Sequence, residues 1–255
     1  NELETELQRL GPETVLAFMA EPVVGATAGA VPAVPGYFKR IREICDQYGI
    51  LLILDEVMCG MGRTGTLFAC EQDGIAPDIV TIAKGLGAGY QPIGAMLCQA
   101  KIHDAIAAGS GFFQHGHTYM GHPVAAAAAH AVISEILEKH LLSSVKERGE
   151  QLRKSLEERF GQHPHVGDIR GRGLFMGLEF VKDRDTKQTF DPSLAVAKKL
   201  KQAAFENGLI CYPMSGTIDG VHGDHVLLAP PFIMDEGQVD ELTGKLQKAV
   251  AAVLN

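Results

Sequence analysis

Two short apolar runs in this chain each end in charged residues. The run 51–54 is followed by Asp55 and Glu56, and the run 79–83 is followed by Lys84. Apolar runs of this length are typical of buried parallel strands. Because ligands bind just beyond the carboxyl ends of such strands in open α/β sheets, we expect a carboxylate and an amine at one binding edge.

These two groups suit a cofactor that needs both an ionic partner and a covalent nucleophile. Pyridoxal phosphate is such a cofactor, since a lysine amine forms a Schiff base with its aldehyde and an acid partners its ring nitrogen. Burial at a strand end would desolvate Lys84, lower its pKa and free the amine for attack. Lys84 and Asp55 are therefore the predicted catalytic residues, and Glu56 is predicted to be structural.

The composition restricts the class of partner. The chain has 255 residues, 46% of them hydrophobic, and a net charge of −8 with acidic and basic residues interspersed. This argues against nucleic acid and anionic membranes as partners, and no apolar run approaches the roughly 20 residues of a membrane span. The five cysteines form no C-x-x-C pair, which favours free thiols in the cytoplasm.

The elements around the charged strand ends follow an α/β order. Apolar residues at helical spacing predict a helix over 37–48, between a strand at 15–20 and the strand that ends at Asp55. A strand–helix–strand order predicts a mostly parallel sheet with right-handed crossovers. The segment 21–36, rich in Gly, Ala and Pro, is predicted to be a loop.

The composition changes at residues 161–164. Beyond them, short strands alternate with amphipathic helices, including a predicted strand at 209–212 and a predicted helix at 236–254. We therefore predict that residues 1–160 are part of a large α/β domain and that residues 161–255 form a smaller α+β domain.

Six motifs, standing in the family's order, resemble those of the class III pyridoxal-phosphate-dependent aminotransferases. They are AEPVVG (20–25), LLILDEVMCGMGRTG (51–65), PDIVTIAKGLGAGYQPIGA (77–95), HGHTYMGHPVAAAAA (115–129), VGDIRGRGLFMGLEFV (166–181) and LLAPPF (227–232). The resemblance implies the aspartate-aminotransferase-like fold (PLP fold type I). Members of the family carry a further N-terminal portion, with a Gly/Ser-rich phosphate loop, ahead of the position of Asn1. The chain therefore resembles the C-terminal portion of such an enzyme.

The resemblance also implies cofactor contacts. Val57 stands where a side chain packs on one face of the pyridine ring, and Met58 stands where many relatives carry a glutamine that reaches the ring hydroxyl. Thr118 resembles the threonine that binds the cofactor phosphate, usually across a dimer interface, so a homodimer with shared active sites is expected. Glu21 belongs to the E-P motif and is expected to lie near the substrate without reacting.

The implied substrate residues depart from the branch of the family that is specific for amino acids. Ala26 replaces a glutamate of the ornithine- and GABA-type relatives, and Leu227 replaces their carboxylate-binding arginine. His225 stands where the resemblance places a mobile arginine of amine–pyruvate transaminases, and it is a candidate for contact with the substrate or its surroundings. A bidentate arginine is the strong way to bind a carboxylate. The expected reaction therefore transfers an amino group between a primary amine or ω-amino acid and a 2-oxo acid such as pyruvate.

Two other functions stay open at this point. One is a decarboxylase of the dialkylglycine type, against which Leu227 argues. The other is a fragment that keeps the fold without activity. Arg63 is expected to brace its loop. No metal is expected at the three histidines of residues 115–122, because no carboxylate or cysteine accompanies them.

Overall fold

The computed structural model describes residues 2–254, which divide into two compact units. The first unit contains the residues up to Pro22, Ala33–Met61 and Thr66–Lys139. The second contains Val23–Pro32, Gly62–Gly65 and the residues from His140 onward. None of the helices in the described part combines the length and apolarity that a bilayer crossing requires.

Seven α-helices and ten strands are present in the described residues. The helices are α1 (Glu2–Leu10), α2 (Tyr37–Tyr48), α3 (Ala100–Ala108), α4 (Pro123–Glu138), α5 (Leu141–Phe160), α6 (Val196–Glu206) and α7 (Glu236–Leu254). The strands are β1 (Ala17–Ala20), β2 (Val23–Val24), β3 (Val31–Pro32), β4 (Leu51–Asp55), β5 (Ile79–Ile82), β6 (Ala95–Cys98), β7 (Val166–Arg172), β8 (Phe175–Phe180), β9 (Tyr212–Ser215) and β10 (Asp224–Leu228).

The first unit is built on a four-stranded sheet in the order β1–β4–β5–β6. The first three strands are parallel, and β6 runs antiparallel to β5 at the edge. Helix α2 connects β1 to β4 and ends at Gly49, whose φ of 67° suits a glycine and whose N–H bonds the Cys45 carbonyl. The predicted mostly parallel sheet of the aspartate-aminotransferase-like fold is confirmed.

The core of the first unit lies between this sheet and its helices. Apolar side chains of α1 and α2 pack on those of β4 because both elements carry one apolar face. The buried members are Leu7, Phe38, Ile41, Ile44, Cys45, Ile50, Leu52, Leu54 and Cys70. This packing holds β4, and with it Asp55, against the helical layer.

A buried carboxylate fixes the amino ends of β4 and β5. Asp78 is 2% exposed. It accepts hydrogen bonds from the Leu52 amide at 2.7 Å and from Arg42 at 2.7 Å, and it pairs with Lys101. Burial alone would raise the pKa of Asp78, but the bonds from Lys101, the Leu52 amide and Arg42 outweigh it and lower the pKa.

The second unit is built on an antiparallel sheet in the order β7–β8–β10–β9. Apolar residues of α5, α6 and α7 form one core with alternate residues of β8 and β10, including Met176, Leu178, Phe180, Val226 and Leu228. The hairpin of β2 and β3 belongs to the same unit and contacts β7.

The structure differs from the sequence-based expectations at three places. Helix α5 belongs to the second unit, because it packs on α7 and β7, so the C-terminal segment of this unit begins at His140, whereas the sequence placed the boundary at residue 161. The strand expected at 209–212 is β9, which begins at Tyr212. The expected loop 21–36 contains the hairpin β2–β3.

We predict that Asp78→Asn lowers the free energy of unfolding by about 3 kcal/mol at pH 7, because the half-buried Arg42 loses its buried charge partner and keeps only the exposed Asp46. The pKa of Asp78 is lowered in the folded state. The contribution of Asp78 to stability is therefore fully present above its unfolded-state pKa and is lost as the pH falls through its folded-state pKa. Urea unfolding at pH 7 and at a series of acid pH values measures both effects.

Asp46→Asn is the matched control. Asp46 also pairs with Arg42, but its side chain is 66% exposed, so its removal should change stability by less than about 0.5 kcal/mol. Equal losses for both variants would contradict the assigned role of Asp78.

Candidate active site

Three charged residues follow the carboxyl ends of three adjacent parallel strands. Ala20 pairs with Leu54, so Glu21 and Asp55 follow neighbouring register positions. Asp55 pairs with Thr81, three residues before Lys84. Adjacent strands lie about 4.8 Å apart, so the register places a carboxylate, a second carboxylate and an amine along one edge of the sheet.

The Asp55 side chain is half-buried and is held by its own turn. Its Oδ1 accepts a hydrogen bond from the Val57 amide at 2.9 Å. This is the bond by which an aspartate commonly stabilises a turn. It fixes the carboxylate at the strand end and leaves Oδ2 to accept a bond from a ligand.

The Lys84 backbone is strained and its side chain is exposed. Lys84 has a φ of 41°, a region that residues other than glycine rarely adopt, and it begins a short 3-10 helix that ends at Leu86. Strain of this kind is typical of functional positions. The exposure of Lys84 differs from the expected burial at the strand end. Within residues 2–254, its amine has no hydrogen-bond or ion-pair partner.

Glu56, next to Asp55, is a structural residue as predicted. Its side chain is fully buried, and its oxygens accept hydrogen bonds from the amides of Ala69 and Cys70 at 2.6 and 2.8 Å. Burial raises the pKa of Glu56, and the two amide bonds offset this only in part. Because both oxygens are occupied inside the fold, Glu56 is not available to a ligand.

The other expected cofactor residues lie on loops of the first unit. Val57 and Met58 are half-buried in the turn that follows β4. Thr118 is exposed in a long connection between α3 and α4. His122 begins α4 by accepting a hydrogen bond from the Ala125 amide at 3.3 Å. Among the described residues, no group of three or more histidine, cysteine or acidic side chains is arranged to hold a metal.

The GRTG segment that follows the Asp55 turn is anchored inside the second unit by Arg63. The guanidinium donates to the carbonyls of Pro230 at 2.6 Å and Leu174 at 3.3 Å, and it lies 4.5 Å from the centre of the Phe232 ring. Burial lowers the pKa of Arg63 to about 10, so it stays charged at neutral pH. Arg63 braces the loop, as expected.

His225 and Leu227 both lie on β10 in the second unit. They are 1% and 3% exposed, and they pair with Glu179 and Gly177 of β8. The nearby guanidinium of Arg170 is already bonded to the Ala28 and Gly29 carbonyls and to Glu179. The carboxylate clamp of the amino-acid branch is therefore absent from these positions.

The sequence matches a known protein family over nearly its whole length. The family model described as aminotransferase class-III matches residues 1–250. The chain belongs to the class III aminotransferase family. An aminotransferase from Gibberella zeae is 49% identical over 255 residues, which cover 100% of this chain and 50% of that protein.

Solved structures agree with this assignment. An (S)-enantioselective omega-transaminase from Thermomicrobium roseum superposes with a TM-score of 0.92 at 38% identity, over 100% of this chain and 55% of that one. A PLP-bound amine transaminase from an uncultivated Pseudomonas species gives 0.90 at 36% identity, over 99% and 55%. The chain thus spans about half the length of these relatives.

Pyridoxal phosphate is the cofactor of this family, and the residues present fit it. An amine with no partner among residues 2–254 suits the cofactor's aldehyde, and a carboxylate fixed through one oxygen suits a protonated ring nitrogen. Sequence reasoning identified both groups. It gave no role to Arg170 or Asp78, whose hydrogen bonds join residues far apart in the sequence.

We predict that Arg63→Met destabilises the second unit by about 2 kcal/mol, because two carbonyls lose a charged donor. Arg63→Lys should recover part of this loss, since an ammonium group reaches one carbonyl but lacks the planar fork. Urea unfolding followed by hydrogen exchange of β8 measures the change. Wild-type stability in the Met variant would show that the two carbonyls do not depend on Arg63.

Proposed function

We propose that the full-length protein is a pyridoxal-phosphate-dependent transaminase. It transfers an amino group between a primary amine or ω-amino acid and a 2-oxo acid such as pyruvate. The observation that carries the proposal is the placement of Asp55 and Lys84 at the ends of adjacent parallel strands. Family membership and the similarity to an omega-transaminase and an amine transaminase support it.

When bound, pyridoxal phosphate supplies an aldehyde for the substrate amine and a ring that withdraws electrons from the substrate carbon. Lys84 would hold the cofactor through its amine, and the free amine would move a proton between the substrate carbon and the cofactor's aldehyde carbon. The Asp55 carboxylate would keep the ring nitrogen protonated. Val57 would pack on the ring and Thr118 would donate its hydroxyl to the phosphate, whereas Met58 offers no hydrogen bond to the ring hydroxyl.

The proposed substrate class rests on the residue types at two positions of β10, His225 and Leu227. Neither His225 nor Leu227 offers a guanidinium, and the guanidinium of Arg170 is already used by the fold. A substrate α-carboxylate therefore finds no bidentate partner at these positions. This favours amines and ω-amino acids as the amino donor, because their reacting carbon carries no carboxylate. The carboxylate of the 2-oxo acid is then bound by residues other than those at positions 225 and 227.

We predict that borohydride reduction of the full-length, cofactor-loaded protein attaches the cofactor permanently to Lys84. The reason is that reduction fixes the covalent link between the amine and the aldehyde. Peptide mass spectrometry identifies the modified lysine. Lys101→Arg is the control and should leave the attachment unchanged. A label on any lysine other than Lys84 would refute the site assignment.

We predict that this protein forms alanine from pyruvate and a panel of primary amines or ω-amino acids. Lys84→Ala should reduce the rate by at least about 10³-fold, because it removes both the covalent attachment and the proton carrier. A coupled alanine assay measures the rate. Release of carbon dioxide from a dialkylglycine without alanine formation would instead indicate the decarboxylase.

We also propose that two copies assemble and share their active sites. The loop that carries Thr118 is exposed and presents Phe112, Phe113, Tyr119 and Met120 to the outside. Apolar side chains grouped in this way are typical of interaction surfaces. No disulfide bond joins cysteines among residues 2–254, and we propose a cytoplasmic location.

We predict that Thr118→Val weakens cofactor binding about tenfold, since it removes one hydroxyl donor to the phosphate. Thr118→Ser should keep near-normal affinity for the cofactor. Absorbance titration of the full-length apoprotein measures the affinity of both variants.

Light scattering of the full-length protein tests whether it forms a dimer. A monomer with full activity would contradict shared sites.

A further inference from the structure

A short hairpin follows Glu21 in the chain. Its strands β2 and β3 pair Val23 with Pro32 and Val24 with Val31. Its tip, residues 25–30, is closed by a hydrogen bond from the Gly29 amide to the Gly25 carbonyl at 2.9 Å. The hairpin begins two residues after Glu21.

The register of the second sheet places polar residues together on the face away from the helices. One row contains Asp168, Glu179 and His225, and the next contains Arg170, Gly177 and Leu227. The alternate residues of the same strands point into the apolar core. The side chains on this face therefore do not belong to the apolar core.

Arg170 binds the hairpin tip to this face. Its guanidinium donates to the Ala28 carbonyl at 2.6 Å and to the Gly29 carbonyl at 2.8 Å, while it also pairs with Glu179. Gly177 leaves room for the tip, because a Cβ at that position would overlap the Gly29 carbonyl. The tip is thus held by charge-assisted bonds and by close backbone approach.

His225 completes this arrangement from the neighbouring strand. Its Nδ1 lies 2.7 Å from the Thr217 hydroxyl, which fixes the plane of the ring. A Cβ on Gly29 would lie 2.7 Å from two ring carbons. Gly29 also has a φ of 79°, which favours glycine. The imidazole therefore occupies the space that the missing side chain provides.

The charges around His225 favour the neutral ring. Burial lowers the pKa of His225, and Arg170 lowers it further. The Ala26 carbonyl and Glu179 act in the opposite direction but are the weaker influences. A neutral, buried imidazole is a poor ligand for a carboxylate and a good packing partner for a backbone turn.

We propose that His225 is a positioning residue. Together with Arg170 it fixes the hairpin tip, residues 25–30, and it does not contact the substrate. The consequence for catalysis rests on the proposed transaminase function. The contact between His225 and the hairpin does not depend on that function, so protection of the hairpin and catalysis are measured separately.

The test uses the full-length, cofactor-loaded protein without substrate. Hydrogen exchange of the amides in residues 25–30 should become about tenfold faster in His225→Ala, because the ring that packs against Gly29 is lost. Thr217→Val should change it in the same direction by less. His225→Gln, a neutral residue that reaches Thr217, should restore most of the protection. His222→Ala, an exposed histidine nearby in the sequence, is the control and should change nothing.

Steady-state kinetics distinguish positioning from substrate binding. A positioning role leaves the KM for amine and for pyruvate within about twofold of the wild-type value in His225→Ala, whereas a role in substrate binding raises one of them. Unchanged hydrogen exchange in His225→Ala, or a raised KM with unchanged exchange, would overturn the proposal. If the wild-type protein shows no transamination, the proposed function fails, and the exchange data alone decide whether His225 holds the hairpin.

Discussion

Parallel pairing of β4 with β1 and β5 is the constraint on which the candidate site depends. Parallel strands bring their carboxyl ends to one edge, so side chains from distant parts of the sequence meet there without any contact of their own. A shift by one residue would turn Asp55 to the opposite face of the sheet. Asp78 opposes such a shift, because it binds the Leu52 amide at the amino end of the same strand.

In the second unit, the antiparallel register gives the two faces of the sheet different roles. Residues that alternate along β8 and β10 either enter the apolar core or face the hairpin tip. Two arginines, Arg63 and Arg170, both end on backbone carbonyls. Arg170 thus anchors the hairpin that follows Glu21, and Arg63 anchors the segment that follows the Asp55 turn. Neither guanidinium remains available to bind a ligand.

The periodicity of the sequence was sufficient to predict α2 and α7 with their bounds and to place Asp55 and Lys84 at strand ends. It failed at β9, because the apolar residues 209–211 look like a strand whereas Pro213 does not. Proline is tolerated at an edge, where its missing N–H costs no sheet bond. The sequence did not predict the hairpin after Glu21 for another reason. Arg170 binds backbone carbonyls of this segment. Every residue type has such a carbonyl, so the side chains of the segment do not reveal the contact.

The strained backbone at Lys84 has a consequence for the evolution of this protein. A φ of 41° costs conformational energy that any glycine at this position would avoid. Selection for thermal tolerance alone would therefore favour replacement of Lys84 by glycine. A screen that ranks variants only by melting temperature would select against Lys84, the residue that we propose holds the cofactor.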